Sequence, residues 1–179
     1  MKRLFLLRHA KTEAALGAKQ DIDRVLLERG RRDAIAMAQY FVGRGLGCER
    51  VLCSTAARTR ETLALFQPVA LAHATQDIRD DLYLAEATEL LDIVRSLDDK
   101  VSSVMLIGHN PGMEELALML AGPPLSIEAE ALHRRLREKF STSALAVIGF
   151  DVPLWRDLRP GRGVLEDFMR PRDLGPKGD

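Results

Sequence analysis

The chain of 179 residues has almost no cysteine; Cys48 and Cys53 are all it carries. Two cannot build a disulfide framework, and no C-x-x-C spacing points to a zinc ribbon or a redox pair. Net charge is missing as well, because 26 Lys and Arg residues are balanced by 26 Asp and Glu. Affinity for a nucleic-acid backbone needs a basic surface, so the balance argues against that partner. Binding one small anion remains open, since it needs only a local cluster of cations. Long apolar runs are absent too. The first, Leu4-Phe5-Leu6-Leu7, stops at Arg8, too short for a signal sequence and far too short for a membrane span. The expectation is a soluble cytoplasmic protein with no membrane partner. There is no repeat, no low-complexity tract and no P-loop G-x-x-x-x-G-K-[ST]. The C-x5-R loop of cysteine phosphatases fails as well: six residues beyond Cys53 stands Thr59, and six beyond Cys48 stands Ser54. A nucleotide kinase and a cysteine phosphatase are left without their motifs.

What is present is enough apolar material, 46% of residues, to bury the core of a single domain spanning residues 1–179. The continuous run at 4–7 reads as a buried strand, and the mixed polar stretch 10–25 as a loop. Ala34, Ile35, Ala38, Phe41 and Val42 recur at helical spacing, predicting an amphipathic helix over 28–43 that the glycine-rich stretch to Gly47 stops. A second strand is expected at 51–53, then a helix over 56–66 closed by Pro68, and a short strand within 74–84. Leu90, Leu91, Val94 and Leu97 give another helix face, 104–107 a third buried strand, and Met113, Leu116, Ala117 and Leu120 a helix broken by Gly122-Pro123-Pro124. A charged helix at 127–138, a strand at 144–150 and an edge strand within 161–169 complete the pattern; residues 175–179 read as frayed. Strands alternating with helices predict a mostly parallel sheet covered on both faces.

In such sheets ligands bind beyond the carboxyl ends of the strands. The chemistry-bearing residues fall there: Arg8-His9 after the first strand, Ser54 to Arg58 after the second, and Gly108-His109-Asn110 after the third. Thr55 reads as an N-cap that places Arg58 in the first turn of the next helix, where backbone N–H groups also favour an anion. Asn110-Pro111 reads as an N-cap and first-turn pair. Two arginines and two histidines with few carboxylates make a poor metal site, because cations repel metal ions. They suit phosphoryl transfer, in which charge builds on the equatorial oxygens and a neutral imidazole can act as nucleophile. His73 and His133 lack this context and read as surface or packing residues, and Arg134-Arg135-Leu136-Arg137 as a solvated helix face.

Leu6-Leu7-Arg8-His9-Ala10-Lys11-Thr12 resembles the Arg-His signature of the histidine phosphatase superfamily, and within it the chain is most similar to the short, SixA-type phosphohistidine phosphatases. The loose match Asp23-Arg24-x-Leu26-x-x-x-Gly30, the segment from Val51 through Arg58 to Thr62, and Gly108-His109-Asn110-Pro111 carry the resemblance. Ser141-Thr142-Ser143-Ala144 and Arg170-Pro171-Arg172-Asp173-Leu174 extend it over nearly the whole chain. The resemblance implies a phosphoglycerate mutase-like α/β fold, a three-layer α/β/α sandwich with a mixed, mainly parallel sheet. It implies that His9 becomes phosphorylated, that Arg8, Arg58 and His109 bind the phosphoryl oxygens with Asn110 beside them, and that no metal or cofactor takes part. Mutase-like members carry a Glu general acid in mid-chain. At that spacing this sequence has Leu84, and Glu86 is the nearest candidate acid. The implied substrate is a phosphorylated protein, such as a phosphohistidine signalling domain. The alternatives are a phosphatase of small phosphate esters and a non-catalytic phosphoprotein-binding module.

Overall fold

A computed structural model describes residues 1–14 and 20–175. Its centre is one six-stranded sheet, formed by β1 (Lys2–Arg8), β2 (Arg50–Ser54), β3 (Thr75–Arg79), β4 (Ser103–Gly108), β5 (Leu145–Phe150) and β6 (Val164–Met169) in the order β3-β2-β4-β1-β5-β6. The pairs β2/β3, β2/β4 and β1/β4 are parallel, whereas β5 runs antiparallel to both β1 and β6. The sheet is therefore mixed and mainly parallel.

Period-two alternation builds the two sides of the core. Leu4 and Leu6 of β1, Val104 and Leu106 of β4 and Ala146 and Ile148 of β5 face one side, against helices α3 (Ala87–Arg95), α4 (Gly112–Leu120) and α5 (Ile127–Glu138). Phe5 and Leu7, Met105 and Ile107, and Leu145 and Val147 face the other, where Met37, Ala38 and Phe41 of α1 (Glu28–Gly43) and Leu63 and Phe66 of α2 (Ala57–Ala70) pack. Three strands buried on both faces explain why their sequences read as continuous apolar runs. The result is a three-layer α/β/α sandwich.

Local signals account for most boundaries. α1 stops where expected: Gly45 takes a φ of 65°, and Leu46 N–H donates back to Phe41 O at 3.2 Å. Pro68 does not close α2, which runs on to Ala70. Proline removes one helical hydrogen bond, but at this exposed end Leu71 N–H still donates to Gln67 O at 3.1 Å and the last turn forms. Two expected caps are also corrected. Ala56, not Thr55, occupies the N-cap of α2, and Thr55 Oγ1 is buried without a partner. Pro111, not Asn110, occupies the N-cap of α4; Asn110 turns its Nδ2 to Glu114 and Phe140, and its Oδ1, the atom a cap would use, accepts from no backbone N–H. The stretch read as a loop over 10–25 holds more order than expected, with a bridge between Thr12 and Leu26 and a 3-10 turn at Asp21–Asp23; residues 15–19 of it lie outside the described residues. So do 176–179 of the expected frayed end. The strand expected within 74–84 is β3 alone, followed by a 3-10 turn at Asp80–Leu82. His73 is exposed, and His133 is buried on α5. Among the described residues no helix is long and apolar enough to cross a membrane.

Register sets the site. Arg8 of β1 pairs with Gly108 of β4, and Cys53 of β2 pairs with Ile107 of β4. The three strands therefore end level, and the residues that follow them emerge side by side.

Candidate active site

His9 is clamped by its backbone. Its N–H donates to Gly108 O at 3.1 Å, its carbonyl accepts from Ser143 N–H at 3.1 Å, and the next amide, Ala10 N–H, donates to Thr62 Oγ1 at 3.0 Å. The ring Nδ1 lies 2.8 Å from Ala10 O. A carbonyl can only accept, so Nδ1 carries the proton and Nε2 is left bare. Burial pushes the His9 pKa down to about 4; the bond to Ala10 O opposes this, and the charges of Arg58, Arg8 and Arg24 add to it. The ring is neutral at neutral pH, as a nucleophile requires.

His109 stands next to it, with ring centroids 5.3 Å apart and planes at 50°. Its Nε2 is 2.8 Å from Ser54 Oγ. Ser54 Oγ also accepts from Ala56 N–H at 3.4 Å; where its hydroxyl hydrogen goes to Nε2, the ring proton stands on Nδ1. That Nδ1 is buried and has no protein partner. Burial, then the charges of Arg58 and His9, hold the His109 pKa down to about 3.

Arg8 Nη1 donates to Phe140 O at 2.8 Å, while its Nε is buried and unpaired. Arg58, only 3% exposed, projects from the first turn of α2. It donates from Nη1 to Asp21 O at 2.6 Å and from Nη2 to Asp21 Oδ2 at 2.9 Å. Asn110 shares the Phe140 carbonyl with Arg8, donating to it at 3.1 Å and to Glu114 Oε2 at 2.8 Å; its Oδ1 is buried and unpaired. Arg8, His9, Arg58, His109 and Asn110 line one cleft of about 380 Å³. Buried polar groups are nearly always paired. Arg8 Nε, an unpaired donor, and His109 Nδ1, an unpaired donor in that tautomer, on the lining of one cationic cleft fit an oxyanion.

Several residues in this arrangement were not singled out by sequence. Asp21 is the carboxylate of the cleft, and Arg24 and Tyr83 bind it. Arg24 donates to Asp21 Oδ1 at 2.8 Å and to Thr12 Oγ1 at 2.7 Å, and the Tyr83 hydroxyl donates to Asp21 Oδ2 at 2.8 Å. These bonds from Arg24 and Tyr83, with Arg58 alongside, hold the Asp21 carboxyl well below the usual carboxylate range. Tyr83 also meets the His109 ring edge-on at 5.5 Å and lies under the Arg58 guanidinium at 5.8 Å. Only Arg24 had a signal, through the loose Asp23-Arg24-x-Leu26 match. Asp21 and Tyr83 sit in irregular segments with no periodicity to mark them.

The position where a mid-chain acid was sought is in the cleft, but it is Leu84, 51% exposed and held at a φ of 54°. Glu86 is not among the cleft-lining residues. It stands exposed at the N-cap of α3 in a capping box with Glu89, whose Oε2 accepts Glu86 N–H at 2.8 Å. Gly112 makes this arrangement possible, because a Cβ there would collide with Ala85 O; the missing side chain lets the 83–86 loop close over the start of α4. Among the described residues no group of three or more His, Cys, Asp or Glu side chains converges to hold a metal ion.

Fold and site together define an α/β protein with an oxyanion cleft built from paired histidines and arginines at level strand ends. The sequence model of the histidine phosphatase superfamily (branch 1) matches residues 4–86. The chain is 34% identical to the uncharacterised protein Rv1276c of Mycobacterium tuberculosis, over 93% of this chain and 100% of that one. It is 27% identical to the phosphohistidine phosphatase SixA of Escherichia coli, with 96% of each covered. A solved structure from Nakamurella multipartitia, provisionally assigned as a phosphohistidine phosphatase SixA, superimposes with a TM-score of 0.80 at 30% identity, covering 95% of this chain and 96% of that one. The chain belongs to the histidine phosphatase superfamily and is a phosphatase.

Proposed function

We propose that this phosphatase works without a metal, takes the phosphoryl group onto His9, and acts on phosphohistidine in proteins. The bare Nε2 of His9 attacks phosphorus. A P–N bond to His9 forms as the P–N bond to the substrate imidazole breaks, and the departing imidazole takes a proton from solvent. Water then attacks the phosphoryl group on His9, which releases inorganic phosphate and restores the neutral ring. Arg8, Arg58 and the Nδ1–H of His109 hold the phosphoryl oxygens while charge builds on them. Asn110, whose amide nitrogen is already engaged, positions Arg8 through the carbonyl they share. The presence of all four residues, His9, Arg8, Arg58 and His109, in one cleft favours an enzyme over a phosphoprotein-binding module.

One observation carries the choice of substrate: among the described residues the cleft has no acid able to give up a proton. Leu84 stands where an acid was sought, Glu86 caps a helix, and Asp21 is held ionised by its partners. Expelling the alkoxide of a serine phosphate needs such an acid, which contributes about 10²–10⁴-fold in rate. An imidazole leaves readily once protonated, and solvent supplies that proton near neutral pH. The expected order of turnover is phosphohistidine first, aryl phosphate second, phosphoserine last. Rates on a phosphohistidine peptide, an aryl phosphate and a phosphoserine peptide test it, with wild type and Glu86→Gln. Glu86→Gln should leave phosphohistidine turnover within about twofold and cost no more than about 1 kcal/mol of stability through the weakened cap. Efficient phosphoserine cleavage that collapses in Glu86→Gln would instead make Glu86 the acid and the protein an ester phosphatase.

A further inference from the structure

A second concavity of about 360 Å³ opens beside the catalytic cleft and shares Arg8, Lys11 and Thr142 with it. Its charged lining is one-sided: Arg8, Lys11, Arg29, Lys139 and Arg172 against a lone carboxylate, Asp33. The chain as a whole carries a formal charge of +0, so positive charge is gathered here rather than spread evenly. It is only partly neutralised. Arg29 reaches Asp33 only at 3.8 Å, and Arg172 is paired with Glu138 at 2.9 Å. Arg8, Lys11 and Lys139 have no ion pair among the described residues. The cations come from separate parts of the fold: the end of β1 and the loop after it, the first turn of α1, the C-cap of α5 and the 3-10 turn Pro171–Asp173. Five cations from four segments lining one open concavity suit several anionic side chains on a surface.

We infer that this groove is a docking subsite for acidic side chains, Asp or Glu, that flank the phosphorylated residue on a protein substrate. This rests on the phosphohistidine reading above and extends it from the phosphoryl group to its surroundings. A cleft lined by one sign of charge raises the local concentration of a complementary partner and speeds its encounter, an effect that salt screens. The groove therefore supplies recognition that the oxyanion cleft cannot, since every phosphohistidine presents the same phosphoryl group.

The test uses two phosphohistidine peptides identical except that one carries Asp and Glu flanks and the other Asn and Gln. With wild-type protein at low ionic strength, kcat/KM for the acidic peptide should exceed that for the neutral one by about tenfold, mainly through KM. The Arg29→Glu/Lys139→Glu double variant should bring the ratio close to one, and Arg29→Gln/Lys139→Gln should fall between. Turnover of an aryl phosphate should be unchanged in both variants, which also shows that they fold. A ratio near one in wild type, or one that survives charge reversal, overturns the inference. Direct binding of a fluorescent, unphosphorylated acidic peptide separates the groove from the chemistry. If wild type cleaves the aryl phosphate but neither peptide, the substrate reading fails, yet binding that is lost in the double variant still supports the groove. Absent binding, or tighter binding of a single-stranded oligonucleotide than of the acidic peptide, overturns it.

Discussion

His9 and His109 share one cleft but hold their protons on opposite terms. His9 gives its Nδ1–H to a carbonyl and keeps Nε2 bare, whereas His109 anchors Nε2 on Ser54 and leaves Nδ1 to face a ligand. In the proposed reaction one ring attacks and the other donates, a division that follows from which backbone and hydroxyl groups lie within reach. His9→Ala should therefore abolish both turnover and the acid-labile phosphoenzyme, measured by labelling with a radioactive phosphodonor; retained labelling would assign the nucleophile elsewhere. The pH dependence follows with a definite sign. With the His9 pKa at about 4, kcat/KM on an aryl phosphate should hold its plateau well below pH 6.5, once the ester's own ionisation is allowed for, and fall as pH drops through about 4. Stability moves the same way. The folded pKa values of about 4 and 3 lie below the ordinary 6.5, so the unfolded chain takes up protons first as pH falls. The contribution is whole above about 6.5 and is lost progressively between 6.5 and the folded values. Thermal melts across that window should decline less steeply for a His9→Gln/His109→Gln variant than for wild type; equal slopes would refute the assignment.

At the scale of elements, the site depends on three strands that end level and on two irregular segments that close over them. The strand ends were legible in the sequence because β1, β2 and β4 are buried on both faces, so their apolar runs stop abruptly where the polar residues begin. The 3-10 turn Asp21–Asp23 was not legible, since what fixes it is the grip of Arg24, Arg58 and Tyr83 on Asp21, partners up to 62 positions away. Thr55 and Asn110 misled for a related reason. Both have residue types that favour caps, yet Asn110 turns its Nδ2 to Glu114 and Phe140, and Thr55 stands one position before the cap with its hydroxyl oxygen buried. Propensity gives way where tertiary partners compete for the same side chain. The 83–86 loop depends on Gly112 in the same non-local way. Gly112→Ala would drive a methyl group into Ala85 O, so either the loop lifts or α4 shifts. The expected outcome is a loss of about 1–3 kcal/mol in stability, the range for overpacking. Activity should fall further than stability alone accounts for, because Tyr83 moves away from His109 and Arg58. Chemical denaturation together with aryl-phosphate kinetics checks this; a fully active, fully stable variant would show that the close approach is dispensable.

For the whole molecule, charge is balanced in sum and segregated in space. The composition, 26 cations against 26 anions, was readable at once and correctly left room for a local anion site. That Arg8 and Arg58 gather at one edge of the sheet was readable from the strand ends; that Arg24 joins them was not, because a turn with no sequence period brings it there. This segregation also bears on how the proposed reaction would be driven. Charge developing on a transferring phosphoryl group can be met by a divalent ion or by fixed cations. Here three guanidinium groups surround the cleft, and its carboxylate, Asp21, is already bound by two of them and by Tyr83. A divalent cation entering this cleft would meet repulsion from the arginines and would have to strip Asp21 from its partners. EDTA should therefore leave phosphate release from both an aryl phosphate and a phosphohistidine peptide unchanged, and added Mg²⁺, Mn²⁺ or Zn²⁺ should not accelerate it. Arg58→Ala, by contrast, should lower kcat/KM by about 10²-fold or more, the scale for removing one preorganised donor from a transition-state anion, and no divalent ion should restore it. Activity lost to EDTA and recovered only with a divalent ion would move the reaction to metal-assisted hydrolysis and leave the arginines with substrate binding alone.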